Sequence, residues 1–282
     1  MHAMLPPDAA RRADEIEAAA FADLYAAAPP ALAARLDLRV EQHAGATALF
    51  APAIPSAMFN RVMGLGWRAP ADQAAVDHWI ERYRAAGSAP WWLHWNPAAS
   101  PAGFGERLVA WGFVPPARRR WAKVMRAVSP APDPPPTALQ IGPARAGEAR
   151  AIAEAVRTAF EMPSFMADWL AALAARAGWT LYAARASDTV VGGACLFVQG
   201  DTGWLGMGAV LPSHRRQGGQ QALMAHRIAD AAAAGCRWAV TETGEPIGDE
   251  PNPSLANMHR CGFETVASRL NFEWRGAQRP RQ

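Results

Sequence analysis

The sequence predicts an α/β (α+β) protein of two domains, with strands and helices interspersed along the chain. Three observations support this. The chain has 282 residues, more than one domain of typical size needs. Five prolines fall within "VSPAPDPPPT", residues 128–137; they withdraw backbone donors and disfavour both helix and central strand, so the segment is expected to be a stiff linker. A strand, a loop, a helix, a Gly-Phe pair and a closing strand occur once in each half, with Gly112-Phe113 and Gly262-Phe263 holding matching places. The expected division is therefore 1–128, a linker over 129–137, and 138–282.

In the first half, "MFNRVMGLG" (58–66) reads as a strand and residues 70–87 as a helix, with Pro70 suited to a first helical turn. "WWLHW" (91–95) is a strand whose Trp91, Trp92 and Trp95 flank a cleft and read mainly as core. A helix over 102–112 and the strand "WAKVMR" (121–126) follow. In the second half, a strand over 138–144 precedes helices over 147–160 and 164–178. "WTLYAAR", "TVVGGACLFVQ" and "GWLGMGAVL" are three strands separated by short turns, the pattern of a meander. A helix over 218–235, the strand "CRWAVTET", the short helix "SLANMHRCG" and the strand "LNFEW" complete the order.

Composition narrows the function. The formal net charge is +3, and Lys123 is the single lysine. The arginines are scattered, and the run Arg118–Arg120 reads as a solvated turn, so no nucleic-acid partner is expected. No apolar stretch approaches the roughly 20 residues of a spanning helix, and charges interrupt the N-terminus where a signal peptide needs an apolar run; a cytoplasmic protein without membrane association is expected. Cys195, Cys236 and Cys261 are too far apart for a Cys-x-x-Cys pair, and neither a metal site nor a catalytic thiol is expected.

The chemistry-bearing stretch is "AVLPSHRRQGGQQALMAHRI", residues 209–228. Pro212 ends a strand, Gly218 and Gly219 let the backbone approach a ligand, and the helix that follows presents unpaired N–H groups and the positive end of its dipole. These features make an anion site, most often occupied by phosphate, with Arg215 and Arg216 adding charge. The P-loop pattern fails because glutamines stand where Lys and Ser/Thr are required, and the dinucleotide fingerprint fails for want of three spaced glycines.

The stretch resembles the signature of the GNAT superfamily, acyl-CoA-dependent N-acyltransferases: Arg/Gln-x-x-Gly-x-Gly/Ala shortly after a Val-x-Pro strand end. Here it reads Val210-Leu-Pro212-Ser-His-Arg215-Arg-Gln-Gly218-Gly-Gln220. The element order of 138–275 and the closing "NMHRCGF" resemble that superfamily too. The resemblance implies two GNAT-like domains, each a mixed, mostly antiparallel sheet flanked by helices, the first degenerate and lacking the CoA loop. It implies acetyl-CoA as co-substrate, its pyrophosphate held by the backbone of Gln217, Gly218, Gly219, Gln220 and Gln221 beside Arg215 and Arg216. Its pantetheine arm would lie along Ala209 and Val210, with Asn257 as a further contact. The acceptor would be an amine of a small molecule or peptide, with non-catalytic acyl-CoA binding as the alternative; a homodimer is left open. An amine must lose a proton to attack a thioester, and Glu242 is the expected base, ahead of Glu245. The tyrosine that such proteins place ahead of the Gly-Phe pair is Met258 here, and Tyr25, Tyr83 and Tyr182 do not replace it by sequence; His259 reads as a surface residue. Residues 160–169 are expected to shape the acceptor pocket, with Glu161 and Phe165 as contacts beside Phe160, Met162 and Trp169.

Overall fold

A computed structural model describes residues 4–115, 120–246 and 248–275; Arg118 and Arg119 of the basic run lie outside them. The first half comprises α1 (Ala9–Ala26), α2 (Pro30–Leu36), β1 (Arg39–His43), β2 (Ala46–Phe50), β3 (Arg61–Met63), α3 (Gln73–Ala85), β4 (Trp91–Trp95), α4 (Phe104–Ala110) and β5 (Trp121–Ala127). The second comprises β6 (Gln140–Pro143), α5 (Ala149–Ala159), α6 (Met166–Ala172), β7 (Trp179–Ala186), β8 (Thr189–Gln199), β9 (Thr202–Val210), α7 (Gly219–Ala233), β10 (Trp238–Gly244), α8 (Pro253–Arg260) and β11 (Glu264–Trp274).

The described strands form one sheet in the order β1-β2-β3-β4-β11-β5-β10-β9-β8-β7-β6. The pairs are antiparallel except β3 with β4 and β9 with β10. The halves are joined by exchanged strands. β5, from the first half, lies between β11 and β10; β11, from the second, lies between β4 and β5. β11 begins at Glu264, six residues before the expected "LNFEW", because its first part pairs with β5 and its last part, Leu270 to Trp274, pairs with β4.

The repeated Gly-Phe pairs have a common physical cause. Gly112 and Gly262 take positive φ (96° and 80°) at the ends of α4 and α8. The next N–H then turns back: Phe113 bonds the Leu108 carbonyl and Phe263 the Met258 carbonyl. This is the helix-stopping geometry in which a left-handed glycine lets the following N–H reach a free carbonyl. Both phenylalanines are buried, in equivalent layers of the two halves.

Helices α1, α5 and α6 cover one face of the second half, and α7 and α8 the other. α1 belongs to the first half yet packs on β5, β9, β10 and β11. Asp23 accepts hydrogen bonds from Trp179 Nε1 (2.8 Å) and Arg176, Trp169 Nε1 donates to the Leu24 carbonyl (2.7 Å), and Arg12 pairs with Asp201 (2.9 Å). No described helix is long and apolar enough to cross a membrane. All three cysteines are buried, and burial pushes Cys195 up to about 12.

Candidate active site

A cavity of about 1290 Å³ opens where β9 and β10 part. They pair in parallel only from Trp238↔Thr202 to Val240↔Trp204; one further link, Thr241 Oγ1 to the Leu205 carbonyl (2.7 Å), marks the end of contact. Beyond it, β9 keeps its partner on the other side, with Gly193↔Ala209 and Gly192↔Val210. Its free edge from Gly206 to Val210 faces the cavity. The β8–β9 register slips between Gly193 and Cys195, and Met207 in β9 takes φ 54°, as at a β-bulge. Arg227 of α7 stitches this break: its guanidinium donates to the carbonyls of Cys195 and Gly206 (3.1 Å each) and to that of Leu223 (2.9 Å). Sequence reasoning passed over Arg227 because a basic residue inside a helix carries no motif.

At the open end sits the glycine loop. Arg216 (φ 61°) and Gly218 (φ 75°) are both left-handed, and successive turns of this kind aim backbone N–H groups at one point. Among the described residues no side chain caps α7, so its first N–H groups remain for a ligand. Arg215, Arg216, Gly218, Gly219, Gln220 and Gln221 line the cavity with Ala209 and Val210. Gln217 is exposed and does not. Gln220 bridges two helices: Nε2 donates to Ser254 Oγ (3.1 Å) and Oε1 accepts from Asn257 Nδ2 (2.6 Å). Asn257 lines the wall, but its amide is engaged by Gln220 and Arg260, so it braces the loop from α8. A Cβ at Gly218 would stand 3.0 Å from the Pro136 carbonyl, so the proline segment is seated against the loop. Gly218→Val, strained at positive φ and crowded there, is expected to weaken acetyl-CoA binding by at least roughly tenfold in a calorimetric titration.

A buried ionic cluster forms the floor. Lys123 on β5, fully buried, donates to Glu17 Oε2 of α1 (2.7 Å) and to Glu242 Oε2 of β10 (3.2 Å). Glu242 faces Lys123 directly in the β10–β5 register. Arg269 of β11 also pairs with Glu17. Trp204 Nε1 donates to the same Glu242 oxygen (3.0 Å). The Glu242 side chain is 10% exposed and lines the cavity; among the described residues its Oε1 has no hydrogen-bond donor. Burial raises the Glu242 carboxyl above its ordinary value, against the pull of Lys123. Glu17 takes the opposite direction: burial would raise it, but Arg269 and Lys123 hold it well below the usual range. Of the two carboxyls that share Lys123, Glu17 is thus the one favoured as a carboxylate and Glu242 the one more easily protonated. Glu245 is off the cavity wall, and its backbone N–H donates to the Arg120 carbonyl.

The far end is built from both halves. Phe21, Leu24 and Tyr25 of α1, together with Met58, Phe59, Trp92 and Trp121, face Phe160, Glu161, Met162, Met166 and Trp169 across the cavity. Glu161 has φ 55°, a strained arrangement for a non-glycine residue that tends to mark functional positions. Phe165 corrects the expectation: it packs against the core at the start of α6 and is not on the wall, where Met162 and Met166 stand instead. Of the three tryptophans of β4, Trp91 and Trp95 are core and only Trp92 reaches the cavity. Met258 is buried on the wall. Tyr25 reaches the cavity but donates its proton to the Phe59 carbonyl; Tyr83 and Tyr182 are bound to Leu49 and Asp230. His259 is exposed.

The equivalent place in the first half differs in kind. The Asp72 side chain caps α3 by accepting from Ala75 N–H (2.8 Å), so a carboxylate already holds the anion position. A Cβ at Gly66 would meet the Ser100 carbonyl at 2.7 Å and the Trp95 ring at 2.9 Å, which leaves no approach for a ligand. Glu242 faces Lys123 across β10 and β5; Trp92 faces Glu273 across β4 and β11.

Residues 144–244 match the family model for the acetyltransferase (GNAT) domain. Solved structures share the fold over nearly the whole chain. A GCN5-related N-acetyltransferase from Kribbella flavida is 18% identical with a TM-score of 0.62, over 94% of this chain and 96% of that one. A GCN5-related N-acetyltransferase from Sphaerobacter thermophilus is 20% identical with a TM-score of 0.61, over 98% and 96%. A tandem GNAT protein from the clavulanic acid biosynthesis pathway is 14% identical with a TM-score of 0.60, over 94% and 97%. No curated protein sequence matches the chain.

Proposed function

We infer that this chain, whose second half carries a GNAT acetyltransferase domain, transfers an acetyl group from acetyl-CoA to an amine of a small molecule or peptide. The observation that carries this reading is the continuity of one cavity from the uncapped end of α7, past the free edge of β9, to Glu242. The first half is read as a degenerate GNAT-like domain: it supplies no CoA loop but walls the acceptor end through α1 and β3.

The residues fit the co-substrate. The N–H groups of Gly218 to Gln221, flanked by Arg215 and Arg216, suit a pyrophosphate. The backbone of Met207 to Val210 offers strand-like pairing to a pantetheine amide and an N–H to polarise a carbonyl. The co-substrate supplies an activated acyl carbonyl. Glu242, through Oε1 or one water, takes a proton from the ammonium form of the acceptor, so that a neutral amine attacks. A nitrogen–carbon bond forms, the carbon–sulfur bond breaks, and the nitrogen gives its second proton to water, or to Glu242 once that carboxyl has passed the first to solvent. With Met258 in place of a tyrosine, solvent reprotonates the departing thiolate.

An amine panel with acetyl-CoA, followed through release of free CoA thiol, tests this reading. Saturable, amine-dependent release is expected. Tight acetyl-CoA binding with no release for any amine would instead favour non-catalytic acyl-CoA binding, the reading that the missing tyrosine suggests.

A further inference from the structure

Arg61 is a charged group at the acceptor end that feels the Glu17 and Glu242 carboxylates but, among the described residues, makes no ion pair or side-chain hydrogen bond. It lies at the start of β3, is 8% exposed, and lines the cavity. Its guanidinium carbon sits 3.9 Å above the Phe21 ring, which fixes its plane without accepting a hydrogen bond. Its Nε is buried and has no hydrogen-bond partner among the described residues. The neighbouring carboxylates are committed elsewhere: Glu17 to Lys123 and Arg269, Glu242 to Lys123 and Trp204. A buried guanidinium with unfilled donors is costly unless something accepts from it, and its fork matches a carboxylate.

Arg61 is also tied to the candidate base. The Phe21 ring beneath it meets Trp204 edge to face, with centroids 5.4 Å apart, and the Trp204 indole N–H holds Glu242. Two aromatic rings thus set the spacing between a cation that wants an anion and a base that wants an ammonium. Around them the wall is apolar, with Met58 and Phe160 left exposed at the cavity rim.

Building on the acyltransferase reading, we propose that the acceptor is an amino acid: an amine that also carries a carboxylate, bound by Arg61, with an apolar side chain against Met58 and Phe160. The carboxylate takes no part in bond making. It holds the amine toward Glu242 while the nitrogen–carbon bond forms and the carbon–sulfur bond breaks.

The test pairs each amino acid with its decarboxylated amine: phenylalanine with phenethylamine, leucine with isoamylamine, and methionine with 3-(methylthio)propylamine. CoA thiol release is measured for wild type, Arg61→Met and Arg61→Lys. At least one amino acid is expected to have a KM roughly tenfold or more below that of its partner amine. That ratio should collapse toward one in Arg61→Met and recover in part in Arg61→Lys. The wild-type comparison stands alone if the variants do not fold. Equal or better use of every decarboxylated amine overturns the proposal and leaves acyl transfer intact. No release with any amine overturns the acyltransferase reading instead. Calorimetry then still decides the carboxylate claim: N-acetylated amino acids binding wild type more tightly than the N-acetylated amines support it, and equal binding, or none of either, overturns it.

Discussion

Replacing Glu242 with glutamine is expected to lower kcat/KM at neutral pH by roughly 10²- to 10⁴-fold, the range of a lost general base, and to leave acetyl-CoA affinity unchanged. Glutamine is nearly the same shape and still accepts hydrogen bonds from Lys123 and Trp204, so the floor keeps its geometry while the proton acceptor is lost. The pH profile separates a base from a spacer. A base works in its deprotonated form, and burial has raised Glu242 above the ordinary glutamate value of 4.5. The wild-type acidic limb therefore lies above that value, and it is absent in Glu242→Gln. An unchanged limb assigns it to the substrate amine and removes Glu242 from the role.

Lys123→Met has the largest expected effect on stability, a loss of roughly 3–5 kcal/mol in denaturant unfolding. Methionine fills the space of the lysine stem, but Glu17 and Glu242 lose the cation they share, and with Lys123 fully buried no water replaces it. Glu17 keeps Arg269; Glu242 keeps only the Trp204 N–H. Because Lys123 lowers the Glu242 carboxyl, its removal also moves the acidic limb of any residual activity to higher pH. Lys123→Met combined with Glu242→Gln should lose less than the sum of the two changes, because the paired charges go together. A loss below about 1 kcal/mol would mean that the cluster is solvated and contributes little.

The glycine loop and its helix were legible because they are local. A strand-ending proline, paired glycines, a helix start and adjacent arginines all fall within one short window, and α7 begins at Gly219, inside the expected helix over 218–235. The Gly-Phe repeat was legible for the same reason: one glycine ends one helix. Glu242 was reached through its strand, but its environment was not, since the partners Glu17, Lys123 and Arg269 come from α1, β5 and β11. The exchange of β5 and β11 brings them together, and pairing between distant strands leaves no trace in local periodicity. α1 was missed as a wall because the N-terminal residues were read only for the charges that interrupt an apolar run. Phe165 was misplaced for want of register at the start of α6, where a shift of one position exchanges core for cavity. Arg61 and Arg227 belong to no motif; only burial and contacts set them apart.

A calorimetric titration of the wild-type protein with acetyl-CoA tests the central claim most directly. Saturable binding at one site per chain, markedly weakened in Gly218→Val and retained in Glu242→Gln, is the predicted result. Absence of binding at millimolar acetyl-CoA, or binding indifferent to Gly218→Val, would contradict a cofactor cradle at the start of α7.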